Sequence, residues 1–172
     1  MIKKFNKKGT TLIEILLYFV ITAVVIFVFA SFALQILTAS SVSGNLNEIH
    51  ANADISSEKI VTSIKTATSV DTVNSIFDND NGTLSLNMNE ATKSPTKFFL
   101  TNGDLFMQQG IGAATQINSS SVTYTKLLFH KISYNKNPDQ IIIDAVIASK
   151  NTEIANLKHE RSIHLTVSLK NI

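Results

Sequence analysis

A long uncharged segment near the N-terminus constrains the fold of this chain more than any other feature of the sequence. After Glu14 no charged residue occurs until Glu48, and residues 15–39 are apolar apart from isolated polar side chains. These are Thr22, Ser31, Gln35 and Thr38. About 20 apolar residues in helical form cross the hydrocarbon core of a bilayer. Because lipid offers the backbone no hydrogen-bond partners, we expect this segment to be a membrane-spanning helix.

Basic residues before the helix predict its orientation. The lysines are Lys3, Lys4, Lys7 and Lys8. Positive charge next to a membrane helix favours the cytoplasmic side, so we expect everything after Ala39 to lie outside. A secretory signal peptide is an alternative, with an apolar region of about 7–15 residues before a small-residue cleavage site. Ala39-Ser40-Ser41 resembles such a site, although the apolar run is longer and a carboxylate stands at its entrance.

Glu14 is unusual because it stands at the start of the predicted membrane helix. A carboxylate costs roughly 2.5–3.5 kcal/mol at the bilayer centre and less near the edge. One interpretation places it at the headgroup boundary. The basic leader, Gly9, the sequence Thr-Thr-Leu-Ile-Glu and the apolar helix together resemble the class III leader of type IV prepilins and pseudopilins.

This resemblance implies a role for three residues. A prepilin peptidase would cut after Gly9, and Thr10 would become the first mature residue and a possible site of N-methylation. Glu14 would then be the fifth mature residue and would neutralise the free amine of a neighbouring subunit during assembly. Thr10 departs from the family pattern, because phenylalanine or methionine is commoner there, and this departure concerns methylation more than cleavage.

Charge and cysteine content narrow the possible functions. Removing residues 1–9 takes away four of the 15 basic residues and none of the 13 acidic ones, which leaves 11 against 13. The mature chain therefore lacks the basic surface that nucleic-acid binding requires, and we expect no nucleic-acid partner. The absence of cysteine excludes disulfides and thiolate metal sites.

The apolar pattern after the expected membrane helix predicts a second helical segment, which is amphipathic. Residues 38–47 are small and polar and include Gly44, a possible soft spot, because glycine weakens a helix by roughly 1 kcal/mol. From residue 46 a helical period returns, and Glu48, Asp54, Glu58 and Lys65 lie mostly off its apolar face. The members of that face are Leu46, Ile49, Ala53, Ile60, Ile64 and Ala67.

The rest of the chain alternates between apolar and polar residues, as antiparallel strands do. Asn102-Gly103 predicts a hairpin turn between two strands, residues 110–121 and 150–160 read as loops, and residues 135–139 read as a turn. The expected strands cover residues 83–88, 97–101, 104–108, 122–134, 141–147 and 163–169. The fold class is therefore α+β: a long N-terminal helix, half membrane-spanning and half amphipathic, packed on an antiparallel β-sheet.

The sequence Asp-Asn-Asp-Asn-Gly at residues 78–82 permits two interpretations. Asn81-Gly82 between strands is typical of a hairpin turn. The alternative is a calcium site that uses Asp78 and Asp80, because the segment begins like an EF-hand loop. Gly82, however, stands one place early, and Asn89 occupies the twelfth position, where a bidentate glutamate belongs. The turn is the preferred interpretation.

Catalytic patterns are missing from the sequence. The histidines are His50, His130, His159 and His164. His159 and His164 are five residues apart, which puts them on opposite faces of a strand. No zinc-protease, nucleophile-elbow or phosphate-loop motif occurs. We therefore expect no enzyme, no cofactor and no metal.

Together, the leader and the order of elements resemble minor pilins and J-type minor pseudopilins, with a pilin-like fold. The absence of proline before Pro95 favours a minor subunit. The expected parts are a leader (1–9), a membrane or filament-core helix (10–39) and a periplasmic or extracellular domain (40–172). The implied partners are other pilin or pseudopilin subunits, the prepilin peptidase and, before assembly, membrane lipid.

The resemblance implies a single-pass protein of the cytoplasmic membrane that later joins a filament at the cell surface or across the periplasm. That filament would be a type IV pilus, a type II secretion pseudopilus or a competence filament. The alternative function is a membrane-anchored binding or sensor domain whose leader is never cleaved.

Overall fold

A single helix organises the N-terminal part of the chain. The computed structural model describes residues 11–133, 138–150 and 159–170. Helix α1 runs over Leu12–Thr66 without interruption, close to the predicted span of residues 11–67. The residues around Gly44 stay helical, so the predicted soft spot does not break the helix. The chain nevertheless divides into two units between Ser43 and Gly44, and each is described by itself.

In the second unit, α1 buries one stripe of side chains and exposes the rest. Ile49, Ala53, Ile60 and Ile64 are at most 3% exposed, as the helical period predicted. The charged residues that the period placed off this face are exposed. Ser56 also lies in the buried stripe, which the apolar pattern did not reveal.

Five strands form the first sheet, in sequence order and all antiparallel. They are β1 (Ala67–Val70), β2 (Leu84–Met88), β3 (Thr96–Thr101), β4 (Asp104–Gln109) and β5 (Thr115–Gln116). The predicted β3–β4 hairpin is confirmed: Asn102 and Gly103 both have positive φ, 53° and 80°, as a tight turn of this kind requires. The prediction that residues 110–121 are loop throughout is wrong, because β5 extends the sheet next to β4.

The last three strands form a second antiparallel sheet: β6 (Val122–Ile132), β7 (Gln140–Ser149) and β8 (Glu160–Ser168). β7 lies in the centre of this sheet, and Ile141, Ile143 and Ile147 are almost fully buried. The predicted alternation in β8 is confirmed, with Val167 buried and His164 exposed. Most of the predicted turn at 135–139 and of the predicted loop at 150–160 lies outside the described residues.

The Asp78–Gly82 segment joins the two sheets. The prediction of a tight Asn81-Gly82 turn is wrong in detail, because Ile76 pairs with Thr83 and leaves a longer loop between them. The backbone of this loop pairs with β6 instead. Gly82 N donates to Leu127 O at 2.7 Å, and Leu127 N donates to Asp80 O at 2.7 Å. A Cβ on Gly82 would lie 3.0 Å from that Leu127 oxygen, which is tighter than most Cβ contacts, so the close approach favours glycine.

The helix and both sheets share one hydrophobic core, which confirms the α+β prediction of a helix packed on antiparallel β-structure. The stripe of α1 joins buried residues of the first sheet, such as Phe98, and of the second, such as Phe129. Ser56 Oγ donates to Asn52 O at 2.5 Å, and the hydroxyl of Tyr124 contacts Ser56 Oγ. Burial raises the pKa of Tyr124 to about 12. The polar residue in the stripe is thus satisfied within the core.

We predict that the Gly44–Ile172 unit folds as an isolated fragment and that its stability depends on the buried stripe. Ile60→Ala or Ile64→Ala should each lower the free energy of unfolding by about 2–5 kcal/mol, because each deletes fully buried methyl groups. Ile55→Ala is the matched control, since Ile55 belongs to the same helix and is 50% exposed. Urea unfolding followed by circular dichroism measures all three. A loss below about 0.5 kcal/mol at both buried positions would show that the stripe does not support the domain.

Candidate functional site

The N-terminal half of α1 carries an apolar surface on every side. Between Leu12 and Leu37, the large apolar side chains are 46% exposed at the least, at Val25, and 78% at the most, at Leu12. The best 18-residue window of this helix has a mean hydropathy of 2.8, and none of it is buried inside the molecule. The helix is therefore long and apolar enough to cross a membrane. Water is an unfavourable environment for so large a continuous apolar surface.

The polar side chains of this segment are compatible with an apolar surrounding. Ser31, Thr38 and Ser41 each donate a hydrogen bond to the backbone oxygen four residues earlier, at 2.9, 3.0 and 3.1 Å. Hydroxyl groups bonded in this way expose no unsatisfied donor to lipid or to a neighbouring helix. Ser31 and Thr38, two of the four polar residues that interrupt the apolar run, therefore do not prevent its burial.

Glu14 lies in the first turn of α1 and is only partly exposed. Its backbone N–H donates to Thr11 O at 3.0 Å, which begins the helical hydrogen bonding. A carboxylate at a helix N-terminus interacts favourably with the helix dipole. Among the described residues, nothing pairs with the carboxylate of Glu14 through an ion pair or a hydrogen bond. The predicted cleavage residues, Gly9 and Thr10, lie outside the described residues.

Asp78 and Asp80, the candidate calcium ligands, each meet a basic side chain of β6. Asp78 contacts the His130 imidazole, and Asp80 Oδ1 lies 3.2 Å from Lys126 Nζ. The described part of the chain brings no three histidine or acidic side chains together in a way that would hold a metal ion. The carboxylates thus reinforce the backbone pairing between this loop and β6.

The histidines are dispersed over the second unit. His164 on β8 contacts Asp144 on β7, and His130 contacts Asp78 at the edge of β6. His50 lies on the exposed face of α1, where its backbone oxygen accepts a hydrogen bond from Arg161 at 3.2 Å. Arg161 also pairs with Asp54 at 3.0 Å, so it ties β8 to α1.

A cluster that sequence reasoning missed connects three distant segments. Asp104 at the start of β4 accepts hydrogen bonds from Lys150, just after β7, and from Asn118, just before β6. The Lys150 ammonium, followed by the Asn118 amide, lowers the pKa of the Asp104 carboxyl below its usual value. No local signal indicated this cluster, because Asn118 lies in a stretch of small polar residues and Lys150 is 46 residues from Asp104.

Comparisons of the chain with models of protein families, with curated proteins and with solved structures found no match.

The described ion pairs predict a specific acid sensitivity. Lys131 Nζ lies 2.8 Å from the Asp139 carboxylate, and Ser133 donates to it at 2.6 Å. The ammonium, followed by the hydroxyl, lowers the pKa of Asp139. A carboxyl whose folded pKa lies below its unfolded value of about 3.9 stabilises the fold above that value. This stability is lost as the pH falls through the folded pKa.

Asp139→Asn should therefore lower the free energy of unfolding by about 1 kcal/mol at neutral pH, and by much less near pH 3. Asp80→Asn is the control, because its ion pair with Lys126 is 69% exposed on the aspartate and 39% on the lysine. Such a pair should contribute below about 0.5 kcal/mol. Urea titrations at both pH values measure the difference. An equal effect of Asp139→Asn at both would refute the ion-pair explanation.

Proposed function

We propose that this chain is a minor pilin or pseudopilin, a subunit that is stored in the cytoplasmic membrane and then assembled into a filament through its N-terminal helix. The filament is a type IV pilus, a type II secretion pseudopilus or a competence filament. In this proposal a prepilin peptidase removes residues 1–9, the domain after the helix faces outward, and its surface determines which partners the subunit contacts.

The observation that carries the proposal is the uncovered apolar surface of α1 with Glu14 in its first turn. Lipid covers such a surface while the subunit is in the membrane. When the subunit leaves the membrane, only other apolar helices can replace lipid, so the same surface serves storage and assembly in turn.

Glu14 favours the replacement of lipid by a neighbouring subunit. A carboxylate is costly among apolar helices unless a cation pairs with it. The chain supplies no such cation between Glu14 and Lys59. Cleavage after Gly9 would create one, because it frees the amine of Thr10. Pairing between the Glu14 carboxylate of one subunit and the Thr10 amine of a neighbour would neutralise both charges and set the axial step between subunits.

The outward domain would have to be stable without disulfides, because the chain contains no cysteine. Its helix and two sheets share one hydrophobic core, which provides that stability. The division of the chain between Ser43 and Gly44 agrees with a separation between a membrane or filament-core segment and an outward domain.

Cleavage of the leader is the first test. We expect the mature chain to lack residues 1–9 by intact mass. Gly9→Val should block processing and leave the longer form in the membrane, because a branched side chain would obstruct the peptidase at the scissile bond. Gly44→Val is the matched control, since a Cβ at Gly44 meets no atom within 4 Å. We expect this variant to be processed normally.

Two results would contradict the processing step. One is a wild-type chain that keeps Met1–Gly9, which would favour the uncleaved membrane-anchored binding or sensor domain. The other is a Gly9→Val chain that matures to the wild-type mass.

Incorporation into filaments is the second test. Glu14→Gln keeps the size of the side chain and removes its charge, so the neighbour's amine would be buried without a partner. A stranded charge of this kind costs roughly 3–5 kcal/mol, which corresponds to a loss of incorporation by more than about a hundredfold. Insertion and cleavage should stay normal, because neither uses the pair. The measurement is the amount of subunit in sheared filaments relative to the membrane fraction.

Glu48→Gln is the control, because Glu48 is an exposed carboxylate of the same helix and belongs to the outward unit. This variant should assemble like wild type. Should Glu14→Gln also enter filaments at wild-type levels, Glu14 would be a boundary residue without a role in assembly.

A further inference from the structure

Asp104 brings an amine and a carboxamide together on one oxygen atom. Its Oδ1 accepts a hydrogen bond from Lys150 Nζ at 2.7 Å and another from Asn118 Nδ2 at 3.0 Å. The three residues come from the start of β4, the end of β7 and the segment before β6. An amine and a carboxamide that both contact one carboxylate are the groups needed to form a new amide bond, with the carboxylate to transfer protons.

The Asn118 side chain is held in one orientation. It is 7% exposed, and its Oδ1 accepts a hydrogen bond from Leu105 N at 2.7 Å. Its Nδ2 also donates to the backbone oxygens of Ser119 and Val122, at 3.0 Å each. A backbone N–H on the carbonyl oxygen polarises the C=O bond and can stabilise the oxyanion that forms when a nucleophile adds to it.

We propose that Lys150 and Asn118 form an intramolecular amide bond, with Asp104 as the group that transfers the proton. The Asp104 carboxylate takes a proton from the Lys150 ammonium, and the free amine attacks Cγ of Asn118. The tetrahedral oxyanion is stabilised by Leu105 N–H. Asp104 gives its proton to Nδ2, and the bond between Cγ and Nδ2 breaks. The carboxylate then takes the second proton from the attacking nitrogen as the amide forms, and passes it to the ammonia, which leaves as ammonium. An ammonium and a carboxamide thus become a secondary amide and an ammonium ion, without an oxidant or a reductant.

The resting state of the cluster determines how the rate depends on pH. The pKa of Asp104 is lowered by the Lys150 ammonium, so an ammonium–carboxylate pair predominates before reaction. Transfer of a proton within this pair gives the neutral amine and the carboxylic acid that the reaction needs, without exchange of a proton with the solvent. The rate should therefore differ little between pH 7 and pH 9.

The bond would give this domain a covalent cross-link that its sequence otherwise lacks. The chain has no cysteine and cannot form a disulfide. An amide between residues 118 and 150 closes a loop that contains β6 and β7, and fixes the end of β7 to the segment that leaves the first sheet. Such a closure restricts the unfolded chain in the same way as a disulfide, and it cannot be reduced.

The test is the mass of the full chain, extracted from membranes in detergent. We expect part of the wild-type protein to be lighter by one ammonia, and this part to grow with time at similar rates near pH 7 and near pH 9. Proteolysis and peptide sequencing should then find one branched peptide that joins residue 118 to residue 150.

Three variants distinguish the bond from other losses of ammonia. Lys150→Arg keeps the positive charge beside Asp104 but has no nucleophilic amine, and should abolish the branched peptide together with the loss of ammonia that accompanies it. Asp104→Asn removes the proton acceptor and should slow the loss at least tenfold. Lys126→Arg is the control, because Lys126 pairs with the exposed Asp80, and should behave like wild type.

Asparagine followed by glycine, as at Asn81 and Asn102, can also lose ammonia by closing a succinimide on its own backbone. Loss in Lys150→Arg at the wild-type level would therefore come from those sites and would overturn the proposal. The proposal is equally overturned if the wild-type chain yields no branched peptide after prolonged incubation at pH 7 and pH 9, because Lys150 and Asp104 would then form an ion pair only. Neither result bears on cleavage after Gly9 or on filament assembly.

Discussion

The burial of one stripe of α1 is the interaction on which the rest of the Gly44–Ile172 unit depends. Each fully buried aliphatic side chain in that stripe contributes about 1.5–3 kcal/mol of hydrophobic stabilisation. The stripe belongs to one hydrophobic core with residues of both sheets. Without the helix, each sheet would expose its apolar face to water. Ser56 is the exception within the stripe, and Tyr124 makes its burial possible.

Backbone hydrogen bonds at the edge of β6 join the two antiparallel sheets. A strand edge leaves N–H and C=O groups unpaired and invites association with other chains. The Asp78–Gly82 loop and the β3–β4 turn occupy part of this edge, since Tyr124 N donates to Gly103 O at 2.7 Å. Asp78 and Asp80 place their carboxylates beside basic residues of the same strand. The acidic segment that resembles a calcium loop thus acts as a connector between sheets.

The two units of the chain satisfy opposite requirements. The domain buries most of its large apolar side chains inside itself, whereas the helix exposes every large apolar side chain from Leu12 to Leu37. The candidate functional region is therefore an apolar surface with one carboxylate, that of Glu14. In the proposed filament, lipid and neighbouring helices replace one another on this surface, and the charge of Glu14 favours a neighbour that presents an amine.

Local pattern was sufficient to predict the helix, its buried stripe, the β3–β4 hairpin and the strands β6 to β8, because the period of apolar residues records which face is buried. The exposed apolar helix and the position of Glu14 in its first turn were likewise predictable, since both depend on a continuous run of sequence. Only the tertiary structure decided that the strands form two sheets, that Asp78–Gly82 pairs with β6, and that Asp104, Asn118 and Lys150 meet. These contacts join residues far apart in the chain, and polar side chains carry no periodic signal that identifies a distant partner.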